Sequence, residues 1–130
     1  MLSTLIVAAA VVEHDGCFLV TQRQKGVHLE GYWEFPGGKC EAGESLDACV
    51  RRELNEELGT DAKVLRELLS VRHEYPERTI ELHFMECRLL AQPSPRLGQQ
   101  MRWVARTELA TLRFPPADDE LIDLLMQQKP

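Results

Sequence analysis

The sequence predicts a mixed α/β domain of the α+β type, in which helices pack on a β-sheet. Two apolar, β-branched runs near the N-terminus and two longer runs in the middle of the chain are typical of strands. Between Leu46 and Leu58, apolar residues recur every four positions, which indicates an amphipathic helix. The order of strands, helix, strands and helix then favours helices packed against one sheet.

Five segments are expected to form strands, at about residues 4–13, 17–23, 64–75, 79–90 and 103–104. Asp15-Gly16 is a hairpin turn signal between the first two. Residues 32–35 predict a short extended piece, and Gly37-Gly38 predicts a break in regular structure. Helices are expected at residues 45–58, 108–112 and 118–126. For the first helix, Ser45 is a suitable N-cap and Gly59 a suitable C-terminal stop.

The composition predicts one domain over residues 1–130, because 130 residues that are 44% hydrophobic are enough for one core. A net charge of −6 argues against nucleic acid polymers as partners, since these require a basic face. It permits a polyphosphate substrate, because a metal ion can supply the positive charge. The oligomeric state is left open between monomer and homodimer.

The N-terminal apolar run is about ten residues long, too short for a membrane span. It lacks a basic leader, so neither a signal peptide nor membrane attachment is expected. The cysteines, Cys17, Cys40, Cys49 and Cys87, form no CxxC pair and have no histidine at zinc-ligand spacing. This pattern is typical of reduced thiols in a cytoplasmic protein.

Three glutamates on the first helix are the main chemical signal. At about 100° per residue, Glu53 and Glu57 share the arc of the apolar stripe, so their carboxylates are partly removed from water. This is costly unless the charges are paired, and Arg52 alone does not neutralise Glu53, Glu56 and Glu57. A Mg²⁺ ion bound by carboxylates resolves the problem. The alternative is a solvated acidic face, which is the more frequent meaning of an isolated ExxEE.

The wider pattern, GGKCEAGESLDACVRRELNEELG, resembles the Nudix box of the Nudix hydrolases. The matching positions are Gly38, Glu44, Arg52-Glu53-Leu54, Glu56-Glu57 and Gly59. Thr60 departs from the family's usual aliphatic residue, at a position that packs rather than reacts. The resemblance implies an α/β/α sandwich with a mixed central β-sheet flanked by helices.

The resemblance also implies a set of site residues. Mg²⁺, with Mn²⁺ as a substitute, would be held by the Gly37 carbonyl and by Glu53, Glu56 and Glu57. Glu53, Glu44 and Arg52 would be the catalytic residues, with Glu44 and Arg52 in supporting roles, and Lys39 would contact a phosphate. In the family, the metal neutralises the polyphosphate and activates a water for attack on phosphorus.

Segments outside the box are similar to the MutT-type nucleoside triphosphate pyrophosphohydrolases. They are residues 21–23, 33–39, 75–78 and 114–117. The similarity implies a nucleobase pocket containing Arg23, Phe35, Arg78 and Asp118. Taken singly, each has another interpretation: a solvated Arg23, a core Phe35, and an Arg78 that only caps a turn.

Asp118 replaces the asparagine that MutT carries there. An ionised carboxylate only accepts hydrogen bonds, so it would prefer the amine of cytosine or the N7–H of an 8-oxopurine. The related bacterial CTP pyrophosphohydrolases look like this chain at that position. The prediction is cleavage of a nucleoside triphosphate such as 8-oxo-dGTP to the monophosphate and pyrophosphate, with (d)CTP or a modified dCTP as the alternative. Asp118 could instead only cap the last helix.

One more position departs from MutT. Leu97 stands where MutT-like enzymes place a loop glutamate, so its role would fall to a helix glutamate or to Gln99, or the enzyme would be slower. A non-catalytic nucleotide-sensing Nudix domain is the alternative from another class. The complete glutamate set of the box favours catalysis. Hydrolysis of ADP-ribose or diadenosine polyphosphates is a third option, which the MutT-like pocket disfavours.

Overall fold

The computed structural model describes residues 3–128. The strands of this part are β1 (Ser3–Val11), β2 (Glu13–His14), β3 (Cys17–Gln22), β4 (Trp33–Glu34), β5 (Gly37–Lys39), β6 (Ala62–Glu74), β7 (Arg78–Leu89) and β8 (Met101–Ala105). The α-helices are α1 (Leu46–Leu58) and α2 (Asp119–Gln127), and 3-10 helices cover Arg106–Thr111 and Pro116–Asp118.

The main sheet is mixed and has the strand order β5-β1-β7-β6. Strands β1 and β7 are parallel, whereas β5 and β6 pair with their neighbours in antiparallel fashion. A second sheet places β3 between β2 and β4, and β8 also pairs with β3. The expected mixed sheet with helices is confirmed.

The alternation of side chains along β1 creates two hydrophobic cores. Ala8 and Ala10 pack in one core with the buried face of α1. Ala9 and Val11 pack in the other with the buried face of α2. The helices therefore lie on opposite faces of the main sheet. Within residues 3–128, no helix has the length and apolar character of a membrane span.

Local interactions fix the ends of α1. The Ser45 side chain accepts a hydrogen bond from the N–H of Ala48, and this satisfies one of the free donors of the first turn. Gly59 adopts a left-handed conformation, with φ of 69°, and donates its N–H to the carbonyl of Asn55. The helix thus presents its glutamates at a fixed position on the sheet.

Two sequence-based expectations about secondary structure are wrong. Gly37-Gly38 does not interrupt regular structure, because both residues belong to β5, with Gly37 opposite Ala9 and Gly38 opposite Ala8. The expected helix at 108–112 is a 3-10 helix over Arg106–Thr111. The first prediction failed because glycine is a poor strand former, and only close contact between chain segments explains its presence here.

Candidate active site

Helix α1 lies so close to β5 that the Glu53 carboxylate rests against the backbone of Gly38. A Cβ atom on Gly38 would lie 2.6 Å from the Glu53 carboxyl carbon, closer than a side chain allows. A Cβ atom on Gly37 would collide with the carbonyl oxygen of Ala8. The glycine pair is therefore required for close approach, to β1 on one side and to a carboxylate on the other.

Arg52 connects the glutamates to β5. Its Nε and Nη2 atoms donate to the two carboxylate oxygens of Glu44, at 2.8 and 3.0 Å. Nη1 donates to Glu53 at 2.9 Å, and Nη2 also donates to the carbonyl of Lys39 at 2.9 Å. The hydrogen bonds from Arg52, helped by the N–H of Glu41, lower the pKa of Glu44 to about 2. Glu44 is therefore ionised at neutral pH and holds Arg52 in place.

Glu57 is the carboxylate with the least favourable surroundings. Burial, followed by the neighbouring carboxyls of Glu53 and Glu34, raises the pKa of Glu57 to about 9. Its Oε2 atom is buried and finds no hydrogen-bond partner among residues 3–128. A buried acceptor without a partner costs about 1–3 kcal/mol. The alternative of a solvated acidic face does not fit this atom.

The side chains present fit a divalent metal ion. The carboxyl of Glu53 is close enough to that of Glu57 to raise its pKa, so two acids lie side by side on α1. Glu56 is exposed, with its carboxylate 3.3 Å from Arg52. Mg²⁺ prefers carboxylate oxygens and keeps part of its water shell. A cation here would give Glu57 Oε2 the partner it lacks and would remove the repulsion between the two acids.

Two adjoining cavities lie at this end of the site, and the first of them reaches Glu57. The first, which we call the Glu57 cavity, has a volume of about 180 Å³ and is lined by Glu57, Glu34, Leu97 and Gln99 among others. The second, the Asp118 cavity, measures about 350 Å³ and is lined by Phe35, Lys39 and Asp118 among others. Arg23 and Glu34 line both. A ligand that spans the two would reach from Asp118 to Glu57.

The Asp118 cavity collects four of the five expected substrate-binding residues, namely Arg23, Phe35, Lys39 and Asp118. Arg78 is not among the lining residues: it is exposed at the start of β7, two positions before Ile80, which does line the cavity. Phe35 is only 4% exposed, and its ring stacks on Phe114 with centroids 5.4 Å apart. Phe35 is thus as much a core residue as a cavity wall.

Asp118 lies at the floor of its cavity and is only 6% exposed. Burial, together with the charges of Glu34 and Asp119, raises the pKa of Asp118 to about 7. It occupies the N-cap position of α2, but its side chain makes no capping hydrogen bond. A capping role alone therefore does not explain this residue.

Glu34 is a site residue that sequence reasoning missed. Its carboxylate accepts a hydrogen bond from Arg23 Nη1 at 3.0 Å, and burial raises the pKa of Glu34 against the opposing effect of Arg23. The signal available in the sequence was its place between Trp33 and Phe35. In an extended segment, an acid between two aromatic residues points to the opposite face.

Gln99 does not take over the role of the missing loop glutamate. Its Oε1 accepts from the N–H of Leu97 at 2.9 Å, and its Nε2 donates to the carbonyl of Glu57 at 3.0 Å. The side chain therefore ties this loop to the end of α1. Leu97 is 54% exposed and lines the same cavity as Glu57.

Known proteins are similar to this chain over nearly its whole length. The family model described as NUDIX domain matches residues 7–124. The 8-oxo-dGTP diphosphatase of Haemophilus influenzae is 35% identical over 124 residues, which cover 94% of this chain and 91% of that protein. The CTP pyrophosphohydrolase of Escherichia coli K12 is 35% identical over 121 residues, covering 92% and 90%.

Solved structures show the same architecture. The solution structure of the E. coli ORF135 protein superposes with a TM-score of 0.87 at 33% identity, covering 96% of this chain and 90% of that one. A MutT structure from work on Aliivibrio salmonicida and Vibrio cholerae superposes with a TM-score of 0.82 at 30% identity, covering 96% and 98%. The similarity thus extends over nearly the whole chain.

Proposed function

Because the chain belongs to the Nudix family, as a MutT-like hydrolase of phosphoric anhydrides, we propose that it cleaves 8-oxo-dGTP to the monophosphate and pyrophosphate with Mg²⁺. The observation that carries the proposal is the buried, unpartnered Oε2 of Glu57 beside Glu53. It lies at the wall of the Glu57 cavity, which adjoins the Asp118 cavity at Arg23 and Glu34. A cation at Glu57 and a nucleobase at Asp118 would account for the unpartnered carboxylate oxygen and for the cavities beside it.

The metal would be held by the carboxylates of Glu53, Glu56 and Glu57 and by the Gly37 carbonyl. When bound, the cation neutralises phosphate charge and lowers the pKa of a coordinated water. Arg52 fixes Glu53 through the hydrogen bond at 2.9 Å. Glu44 in turn orients Arg52 through two hydrogen bonds. This arrangement keeps the carboxylates in position before the substrate arrives, which lowers the cost of reorganisation during reaction.

The remaining residues position the substrate. Lys39 is exposed on β5 at the wall of the Asp118 cavity, where its ammonium can meet the phosphate chain. Arg23 is held by Glu34 and by the carbonyl of His28, so its guanidinium forms a fixed part of the cavity wall. Burial of the base against Phe35 and Asp118 would exclude water from one side of the nucleotide.

The raised pKa of Asp118 affects which nucleobase it can bind. At a pKa of about 7, both forms of Asp118 are present at neutral pH. The protonated form donates one hydrogen bond and accepts another, as an asparagine does, and so it suits the O6 and N7–H of 8-oxoguanine. The ionised form only accepts and suits the amine of cytosine. CTP or dCTP is therefore the second candidate, supported by Asp118 and by the CTP pyrophosphohydrolase relative.

The experiment is a substrate panel of 8-oxo-dGTP, dGTP, CTP, dCTP and 5-methyl-dCTP with Mg²⁺, in which pyrophosphate and phosphate are measured separately. We expect pyrophosphate release that stops with EDTA, and the highest kcat/KM for 8-oxo-dGTP. Mn²⁺ is expected to restore activity after EDTA treatment. Highest kcat/KM for CTP or dCTP would select the second candidate.

A variant pair makes the test specific to the site. Glu57→Gln is expected to abolish most of the activity, whereas Glu77→Gln, at an exposed position in the turn between β6 and β7, should leave it unchanged. Absence of pyrophosphate release from all five nucleotides would overturn the proposed function. Equal activity of the Glu57→Gln variant and the parent protein would overturn the assignment of the site.

A further inference from the structure

Two cysteines and a glutamate meet where β5 passes into α1. Cys40 directly follows β5, Cys49 lies in α1, and Glu44 is in the loop between them. The two Sγ atoms and a carboxylate oxygen of Glu44 all lie within 4.8 Å of one another. Among residues 3–128, this is the one group of three or more His, Cys, Asp or Glu side chains whose ligand atoms are so close.

The donor chemistry of this cluster differs from that of the glutamates on α1. Two sulfurs and one oxygen suit thiophilic cations such as Zn²⁺ and Cd²⁺ and do not suit Mg²⁺. In a tetrahedral zinc site, the sulfurs lie about 3.8 Å apart, so the side chains need to close by at most about 1 Å. Cys49 is fully buried, whereas Cys40 and Glu44 are half-buried. The open side leaves the fourth position to water.

Two members of the cluster, Cys49 and Glu44, also contact residues of the Nudix box. Cys49 donates its thiol hydrogen to the carbonyl of Gly38, with an S···O distance of 3.6 Å. Gly38 is the residue against which the Glu53 carboxylate rests. Glu44 accepts two hydrogen bonds from Arg52. A cation bound here would compete with Arg52 for Glu44 and would remove the hydrogen bond to Gly38.

We propose that Cys40, Cys49 and Glu44 form a binding site for a thiophilic divalent cation, Zn²⁺ or Cd²⁺, and that its occupation inhibits the enzyme. Binding exchanges protons for the metal: the cation forms bonds to both sulfurs, both S–H bonds break, and two protons pass to water. No electrons are transferred. The inhibitory consequence rests on the proposed function, whereas metal binding by the cluster does not.

Binding is tested with the full chain, reduced with a phosphine, stripped with EDTA and then placed in excess Mg²⁺ so that the carboxylate site is saturated. Titration with Cd²⁺ is followed by the ultraviolet absorption of cadmium–thiolate bonds. We expect one Cd²⁺ per chain with two thiolates. Cys40→Ser should weaken binding by more than the roughly 10–100-fold that is typical of residues which only support metal ligands.

Cys17→Ser is the matched control, because Cys17 is a half-buried thiol on β3, in the other sheet. It should bind Cd²⁺ like the parent protein. Cys40 is half-buried, so Cys40→Ser is expected to fold, and its melting temperature without metal verifies this. Unchanged Cd²⁺ binding by Cys40→Ser, or lost binding by Cys17→Ser, would overturn the proposal.

The activity arm uses Zn²⁺ with saturating Mg²⁺ and the best nucleotide of the panel. We expect inhibition of the parent protein that a chelator reverses, and at least tenfold less sensitivity in Cys40→Ser. Equal inhibition of both proteins would show that Zn²⁺ acts at the carboxylates and would overturn the inhibitory role. Cd²⁺ binding without any pyrophosphate release would instead refute the proposed function while leaving the metal site intact.

Discussion

The buried carboxyl of Asp118 makes the stability of this protein depend on pH in a way that one substitution can isolate. Burial and the charges of Glu34 and Asp119 raise the pKa of Asp118 from an ordinary value of 3.8 to about 7 in the folded chain. Between pH 3.8 and about 7, Asp118 keeps its proton in the folded protein but has released it in the unfolded chain. The free energy of unfolding therefore falls as pH rises through this window and levels off above pH 7.

The magnitude follows from the size of the shift. About three pH units at roughly 1.4 kcal/mol per unit correspond to about 4 kcal/mol. Asp118→Asn removes the titration and keeps the shape of the side chain. At pH 4, asparagine and the protonated acid are nearly equivalent, so the two proteins should be similarly stable. At pH 8, the variant should be more stable by up to about 4 kcal/mol.

The assay is urea unfolding with EDTA at several pH values between 4 and 8.5, with the difference in free energy plotted against pH. Asp123→Asn is the control, because Asp123 is exposed on the same helix and is not among the charges that raise the pKa of Asp118. It should show no gain that grows with pH. A difference between Asp118→Asn and the parent protein that is independent of pH would refute the argument from burial.

The same substitution tests whether Asp118 contacts the base. Asp118→Asn should shift the preference towards 8-oxo-dGTP over CTP, because the amide always donates as well as accepts. A buried polar group left without its partner costs about 1–3 kcal/mol, so the ratio of kcat/KM values should change by roughly 5- to 150-fold. In the parent protein, this ratio should fall as pH rises from 6 to 8. An unchanged ranking would exclude a role in base selection.

Three further substitutions test the glutamate site. Glu57→Gln should lower kcat by roughly 10²–10³-fold. It should also raise the melting temperature measured in EDTA, by roughly 3–5 °C per kcal/mol gained, because it removes a buried acid whose ionisation is disfavoured in the folded chain. A variant that is both inactive and less stable would contradict this. Arg52→Lys loses the paired contact with Glu44 and should lower kcat by roughly 10–100-fold. Unchanged kinetics would instead show that Glu44 needs no fixed partner. Leu97→Glu adds a carboxylate at the wall of the Glu57 cavity. It should tighten Mg²⁺ binding by about tenfold, or about 1.4 kcal/mol, as measured by calorimetry. Weaker binding would mean that this loop does not face the metal.

Much of the site could be predicted because its parts are close in sequence. The period of α1, its Ser45 cap and its Gly59 stop depend on contacts within a few residues. The pairing of Arg52 with Glu44 also spans only eight positions. Arg78 was assigned to the pocket because its turn looks like that of MutT, but in the structure it is exposed on β7 and is not among the residues that line the Asp118 cavity.

The sequence by itself determined helix α1, its row of carboxylates and the membership in a family, since these follow from local spacing. The tertiary structure decided that Glu57 is the acid that is buried and that one of its carboxylate oxygens has no hydrogen-bond partner in the described residues. It also decided that β5 runs through a glycine pair, and that Glu34 and Asp118, 84 positions apart, share one cavity. The physical reason is that the cost of burying a charge depends on every neighbour that excludes water, and those neighbours come from distant strands and helices.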